Sequence, residues 1–138
     1  MKRLLAVAGL IAVLTPVLAS AQCLKYEPNV VSLSGVIVLE THPGRPNFSS
    51  IAEGDEPETI WVLKLEKPIC VFAANDIDVE ERDQKEIQLA LSDKQYSQYR
   101  NLLGRRVTVT GSLFHSVSGH HHKTLLLMTR KIRRRGAP

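Results

Sequence analysis

Residues 92–114, SDKQYSQYRNLLGRRVTVTGSLF, contain the clearest helix signal in this chain and the strand that follows it. Ser92 and Gln95 have the spacing of a capping box, in which two side chains satisfy free backbone N–H groups where a helix begins. Gly104 stands where a glycine ends a helix, and residues 105–114 then alternate apolar and polar side chains, as a half-buried strand does. The predicted helix has an apolar stripe at i, i+3 and i+7, which consists of Tyr96, Tyr99 and Leu103.

Strand patterns occur on both sides of this unit. Three come before the helix and one follows the strand at 105–114; they lie at residues 31–39, 60–65, 86–91 and 123–132. The second pattern resumes at 69–72, beyond Pro68. The connections are a long Pro- and Gly-containing loop, an acidic turn region and a histidine-rich loop, at residues 41–59, 75–83 and 116–122.

The order of these elements indicates the fold class. Five strands with one helix between strands 3 and 4 are the layout of an OB-fold, so the sequence predicts a mainly β, five-stranded OB-like Greek-key barrel. Gly35 and Gly111, inside two strands, suit the strong coiling that a small closed barrel requires. The alternative is an open α+β sheet with one helix on a face.

The N-terminal residues 1–21 have the pattern of a secretory signal peptide: a basic start, an apolar run and a small-x-small end. Cleavage is predicted between Ala21 and Gln22, which makes the protein periplasmic or secreted, with no membrane span after cleavage. An uncleaved anchor is the alternative, but the apolar run is shorter than the roughly 20 residues a spanning helix needs. The mature protein then consists of an OB-like domain at 22–132 and a basic tail at 133–138.

The charge of the 138-residue chain is uneven. It has 18 Lys and Arg against 14 Asp and Glu, but residues 130–135 hold five of the cations, and the rest of the exported part is mildly acidic. This basic end could contact an anionic lipid, lipopolysaccharide or nucleic acid, or it could be a solvated terminus. A nucleic-acid-binding protein is disfavoured, because the aromatic residues on which bases stack are few.

Cys23 and Cys70 are the two cysteines of the chain. In an oxidising compartment a lone pair of cysteines most simply forms one disulfide, which would join the new N-terminus to the middle of the fold. A pair of redox or metal-binding thiols is the alternative, and the absence of a C-x-x-C spacing argues against it.

Several segments follow one another in the order seen in a known family. They are 23–28 (CLKYEP), 54–59 (GDEPET), 67–71 (KPICV), 99–104 (YRNLLG), 109–115 (VTGSLFH) and 119–122 (GHHH). With these segments the chain resembles the bacterial exported family called domain of unknown function 4431. The resemblance implies a small envelope domain with no assigned activity, found alone or beside domains similar to lysozyme inhibitors. It implies no catalytic residue, and it makes Cys23 and Cys70 a shared pair.

Four of the five histidines lie between residues 115 and 122, and the fifth opens the long loop after the first strand. In an OB-fold these two loops flank the same ligand-binding face, so the imidazoles and the loop carboxylates Glu53, Asp55, Glu56 and Glu58 could approach one another. Imidazole binds zinc, nickel and copper well. The predicted ligand set is His42, His115, His120 and His122.

Other roles for these residues stay open. The histidines could cap a strand, retain metal adventitiously or sense pH near neutrality. Residues 75–80 have the alternate acids of a calcium loop without its glycine. Ser112, Ser116 and Ser118 lie near His115 in sequence, but no triad spacing supports a nucleophile.

From these patterns we expect a non-catalytic binding module that engages an envelope protein or glycan through loops 41–59 and 115–123. The alternative is a metal-binding protein of the periplasm that uses the histidines.

Overall fold

A computed structural model describes residues 23–136 of the chain. The predicted signal peptide and its cleavage site at Ala21 and Gln22 lie outside these residues. The elements in chain order are β1 (Leu24–Lys25), β2 (Val31–Pro43), β3 (Pro57–Phe72), β4 (Glu81–Ala90), α1 (Asp93–Tyr99), β5 (Arg106–His115) and β6 (Leu125–Arg134).

The strands form a closed barrel. The hydrogen-bonded order is β1-β3-β2-β5-β6-β4, and β3 also pairs with β4, so β2 to β6 close on themselves. β4 and β6 run parallel, and the other pairings inside the barrel are antiparallel. The short β1 adds to the edge of β3 in parallel. The predicted five-stranded OB-like barrel, with its helix between the third and fourth barrel strands, is confirmed.

Alternation along the strands fills the barrel interior. In β2, Leu33 and Ile37 point inward and are buried, whereas Ser34 and Val38 on the other face are partly exposed. The largest side chains with almost no exposure include Leu63, Ile87, Leu89, Leu113, Leu125 and Leu127. Side chains from all five barrel strands therefore form one core.

Gly35 and Gly111 mark places where two strands approach too closely for a side chain. A Cβ on Gly35 would lie 2.1 Å from the carbonyl oxygen of Lys64, and a Cβ on Gly111 would lie 2.2 Å from that of Met128. Next to Gly111, Arg130 is an extra residue in β6, because the β5–β6 register shifts there. The two glycines therefore permit the coiling that closes the barrel.

Helix α1 begins as the sequence indicates and ends earlier. Ser92 and Gln95 form the predicted capping box, and Gln95 also donates through Nε2 to the Thr129 carbonyl at 2.9 Å. The α-helix ends at Tyr99 and continues as a 3-10 turn over Arg100–Leu102. Gly104 has a left-handed φ of 72° and donates its N–H to the Ile37 carbonyl at 2.8 Å, which ties the helix end to the barrel.

Three connections differ from those expected. β2 and β3 pair out to Pro43 and Pro57, so the long loop is residues 44–56 rather than 41–59. β3 continues through Pro68, which the register shift between Lys64 and Ile69 accommodates, since a proline has no N–H to give to a ladder. The acidic region expected as a turn up to 83 is already strand β4 from Glu81 onward, because charged side chains are tolerated on its solvent side.

Cys23 and Cys70 form a disulfide, as the sequence predicts, and it fixes β1 beside the end of β3. The two cysteines are 47 positions apart in the chain. Among residues 23–136, no helix has both the length and the apolar character to cross a membrane.

Candidate functional site

The connection between β5 and β6, residues 116–124, is here called the histidine loop, and it lies on the outer surface of the barrel. Gln88 of β4 holds it: its Nε2 donates to the His120 carbonyl at 2.9 Å, and its Oε1 accepts from the His122 N–H at 2.7 Å. Gln88 itself is only 7% exposed. Three apolar residues are buried without belonging to the main core cluster, namely Ile60, Val62 and Leu126. Since Val62, Gln88 and Leu126 are register partners across β3, β4 and β6, this second apolar layer lies beneath the loop.

One carboxylate, Glu58 at the start of β3, binds two of the loop histidines. His120 donates through Nδ1 to Glu58 Oε1 at 2.7 Å, and His122 donates through Nε2 to Glu58 Oε2 at 2.8 Å. Burial raises the pKa of Glu58, but the hydrogen bonds from the two imidazoles outweigh burial and hold it below its usual range. Glu58 is therefore charged at neutral pH and fixes both rings.

His42, at the end of β2, completes this group of histidines. Its ring stacks on that of His122, with centroids 4.6 Å apart and an angle of 10° between the planes. Its Nε2 donates to Glu40 Oε2 at 3.0 Å. Three of the five histidines thus meet between β2, β3 and the histidine loop.

Four charged side chains form a closed ring of ion pairs beside these histidines. Lys123 Nζ lies 2.8 Å from Glu40 and 2.5 Å from Glu86, and Lys64 bridges the same two carboxylates. Burial raises the pKa of Glu40, but the hydrogen bonds from the two lysines and His42 outweigh burial and lower it to about 2. The ring joins β2, β3 and β4 to the last residues of the histidine loop.

The loop between β2 and β3 takes its shape from Asp55. This carboxylate accepts hydrogen bonds from the backbone N–H groups of Asn47, Ser49 and Ser50 at 2.7–2.8 Å, and its residue is 4% exposed. The hydrogen bonds from Ser49 and then Ser50 lower the pKa of Asp55 to about 2. Asp55 therefore stabilises the conformation of its own loop. The nearby Glu53 and Glu56 are exposed to solvent.

The two loops touch each other. The Phe48 ring meets the His120 ring edge-to-face, with centroids 5.0 Å apart. Gly119 lies directly against Phe48, because a Cβ there would come within 2.8 Å of the phenyl ring. Residues 44–56 and the histidine loop therefore form one continuous surface.

An open hollow of about 510 Å³ lies beside this surface, between the histidine loop and the start of α1. Its lining combines apolar and polar side chains, including Tyr96, Leu126, Met128, Glu58, Gln88 and His121. Tyr96 is held by an edge-to-face contact with Trp61, at 5.3 Å between centroids. The hollow offers one aromatic ring and several hydrogen-bonding groups to a ligand.

The structure brings together three of the four residues of the predicted ligand set. His115 is the exception: its Nε2 contacts Glu81 Oε1 at 3.1 Å, and its Nδ1 contacts the Ser116 carbonyl at 3.1 Å. A metal lies in the plane of the imidazole that binds it, so the nearly parallel rings of His42 and His122 cannot share one ion as they stand. Within residues 23–136, no group of three or more His, Cys, Asp and Glu side chains is arranged to hold a metal ion. Metal binding stays a prediction.

The remaining sequence candidates have structural contacts of their own. Both ring nitrogens of His115 contact groups other than a serine hydroxyl, and Ser112 is buried at 6% exposure. In the acidic turn, Asn75 Oδ1 accepts from the N–H groups of Ile77 and Asp78 at 2.8 and 2.9 Å, so it closes the turn.

The sequence did not point to Gln88, Phe48 or the ion-pair ring. Gln88 lies 32 and 34 positions from the two residues it holds, and in the sequence it is an ordinary polar position of a strand. The signal that was available is the glycine at 119, since a glycine in a loop permits the close approach of a bulky group.

The fold and this site define a class: a disulfide-linked OB-like barrel with a loop-built surface at one end of the β5–β6 hairpin. The family model of the domain of unknown function DUF4431 matches residues 86–133, which extend from β4 through α1 and the histidine loop into β6. The resemblance found in the sequence is thereby confirmed for these residues. No curated protein and no solved structure matches the chain.

Proposed function

We propose that this protein is an exported, non-catalytic binding module that engages an envelope protein or a glycan through loops 41–59 and 115–123. The observation that carries the proposal is the contact of Phe48 with Gly119 and His120, which joins the two loops into one surface beside the hollow. In OB-folds, loops at these positions of the barrel surround the ligand.

The chemistry of the hollow supports a ligand with both apolar and polar faces. Its volume of about 510 Å³ lies in the range of small-molecule sites, roughly 300–1,000 Å³. Tyr96 and Met128 provide apolar area, and the Glu58 carboxylate and His121 provide hydrogen-bonding groups. One sugar unit, or one side chain of a protein partner, fits this combination.

Two further observations support export and a role in binding rather than catalysis. The Cys23–Cys70 disulfide suits an oxidising compartment such as the periplasm, in agreement with the predicted signal at 1–21. A binding role without catalysis is supported by His115, whose two nitrogens are engaged by Glu81 and Ser116 rather than by a nucleophile.

The test uses two probes of the same surface. A photo-crosslinking amino acid at Ser118, which is exposed in the histidine loop, should yield adducts with envelope proteins, and the same group at the exposed Lys85 of β4 should not. Soluble peptidoglycan fragments, added to isotope-labelled protein, should shift amide signals around Tyr96 and the two loops. Equal adducts from both positions, together with shifts absent or spread over the whole barrel, would contradict the proposal.

Metal binding is the second candidate, and the convergence of His120 and His122 on Glu58 favours it. Rotation of these rings away from the carboxylate could direct their nitrogens to one zinc, nickel or copper ion. Tag-free protein would then carry stoichiometric metal. The double variant His120→Ala/His122→Ala should lose this metal, and His115→Ala should keep it, because His115 lies elsewhere. Metal that binds weakly at several equivalents, or equally in all variants, would exclude this function.

A further inference from the structure

The outer face of β2, β5 and β6 carries ordered rows of hydroxyl and cationic side chains. The register places Ser32 opposite Thr110 and Thr110 opposite Lys131. The next row along the strands contains Ser34, Thr108 and Arg133, and the third contains Val36, Arg106 and Arg135. These side chains point outward, since Val107 and Val109 between them point into the core.

The cations of this face are free to meet a partner. Arg106, Lys131 and Arg133 are exposed, and among the ion pairs formed within residues 23–136 none involves these three. Arg135 is the exception in the array, with Glu66 2.6 Å away. The hydroxyls hydrogen-bond to one another across β2 and β5, Ser32 with Thr110 at 3.0 Å and Ser34 with Thr108 at 3.2 Å. The longer cationic side chains extend beyond these short hydroxyl side chains.

Protection of a strand edge explains only part of this pattern. β6 pairs with β4 over residues 126–128 alone, so its later backbone is an edge, and cations there prevent pairing with other chains. Arg106 is outside that explanation, because β5 is an interior strand with β2 on one side and β6 on the other. The positive charge therefore extends over two strands, beyond what an edge requires.

The shape of the face selects among anionic partners. Cations on one strand are about 6.6 Å apart at alternate positions, and neighbouring strands are about 4.8 Å apart, so the array is two-dimensional rather than a line along a groove. None of the nine outward residues of these three rows is aromatic, so this face lacks the aromatic side chains on which the bases of a single-stranded nucleic acid stack. An extended surface of many anionic groups is complementary in charge to such a spread of cations.

We propose that this basic face docks the protein on a bilayer surface that carries anionic phospholipid headgroups. The β5–β6 hairpin separates this face from the histidine loop, since β6 runs from Leu125 at the loop to Arg134 at the basic end. Glu81 of β4 contacts the opposite end of β5, at His115. The candidate ligand surface thus lies at the other end of the hairpin from these cations, and the docking does not depend on what that surface binds.

The test measures sedimentation with lipid vesicles. Protein without residues 1–21 is suitable, because it retains the barrel strands, the core and the disulfide that the structure describes. Binding to phosphatidylcholine–phosphatidylglycerol vesicles should exceed binding to phosphatidylcholine alone and should disappear at high salt. Each cation removed should weaken partitioning about fivefold, so Lys131→Gln/Arg133→Gln should lose roughly 25-fold.

The matched control removes the same charge from other strands. Lys25→Gln/Lys85→Gln changes one exposed cation of β1 and one of β4 and should weaken binding less than a few-fold. Equal losses in the two double variants would overturn the proposal, because only net charge would then matter. The proposal would also be overturned if the Lys131/Arg133 variant bound vesicles as the wild type does but self-associated. That result would show that these cations protect the strand edge. Binding to single-stranded DNA in preference to the vesicles would overturn it as well.

Discussion

Replacing Gln88 by leucine would remove the two hydrogen bonds that hold the histidine loop and leave the shape of the side chain nearly unchanged. The Gln88 amide both donates to the His120 carbonyl and accepts from the His122 N–H. A leucine would fill the space above the second apolar layer but could satisfy neither backbone group. The loop would then have to expose these groups to water or keep them unpaired.

The size of the effect follows from these contacts. Each lost hydrogen bond costs about 1 kcal/mol net, and a buried group left unpaired costs about 1–3 kcal/mol. The leucine side chain recovers part of this through its apolar contacts, so we expect a loss of about 2–3 kcal/mol in the free energy of unfolding. For a domain of this length that corresponds to a decrease in Tm of roughly 10 °C, at about 4 °C per kcal/mol. If the histidine loop opens while the barrel stays folded, the loss in the free energy of unfolding cannot exceed what the closed loop contributes to it.

Two measurements separate these cases. Urea unfolding reports the global loss, and hydrogen exchange of the His122 amide reports opening of the loop. Gln98→Leu, at an exposed position of α1, is the control with the same chemical change. If Gln88→Leu matches that control in both stability and His122 amide exchange, then Gln88 does not anchor the loop and the reasoning is wrong.

Three further predictions concern the barrel and its charges. Cys23→Ser/Cys70→Ser should lower the free energy of unfolding by about 4 kcal/mol, as expected for closure of a loop of this length; a chemical denaturation midpoint equal to that of the wild type would refute it. The Glu40 pKa falls from an unfolded value of 4.5 to about 2, so its contribution of about 3 kcal/mol is complete above pH 5 and is lost as the pH decreases towards 2. In thermal unfolding measured from pH 7 to 2, Glu40→Gln should lose less stability on acidification than the wild type. An equal loss in the two proteins would contradict the assignment. Gly35→Ala should destabilise by more than about 2 kcal/mol because its Cβ meets a backbone oxygen, whereas Gly136→Ala has open space and should be neutral; similar Tm values for the two would argue against the close approach.

Part of the candidate site could be predicted because it follows from topology. Once five strands and one helix are placed as in an OB-fold, the loops after its first and fourth strands must lie at the same side of the barrel. For this reason His42 and the pair His120 and His122 meet in the structure, as expected. His115 does not join them, since it lies at the end of β5, before the histidine loop turns over the outer face.

The contacts that hold the loop could not be predicted in the same way. Glu58 was one of four loop carboxylates in the sequence, and nothing in its neighbours distinguishes it from Glu53 or Glu56. Its position directly across from His42 in the β2–β3 ladder is what points it at the histidines. The role of Asp55, which binds its own loop, likewise depends on how residues 47–50 fold back upon it.

The sequence by itself determined the features that act over a few residues or through composition. The alternation of the strands and the capping box at Ser92 and Gln95 act over a few residues, and the pairing of the two cysteines follows from their number. The strand alternation and the capping box can be read locally because hydrogen bonds and periodicity within one element depend on near neighbours.

Only the tertiary structure decided which side chains face one another across the barrel. The Glu58–histidine contacts join residues 62 and 64 positions apart, and the hydroxyl rows of the basic face join residues 74 and 78 positions apart. Such pairs depend on strand register, and a shift of one residue would turn each of these side chains to the other face. Register is set by the packing of the whole core and by the close approaches at Gly35 and Gly111, so it is a property of the folded chain.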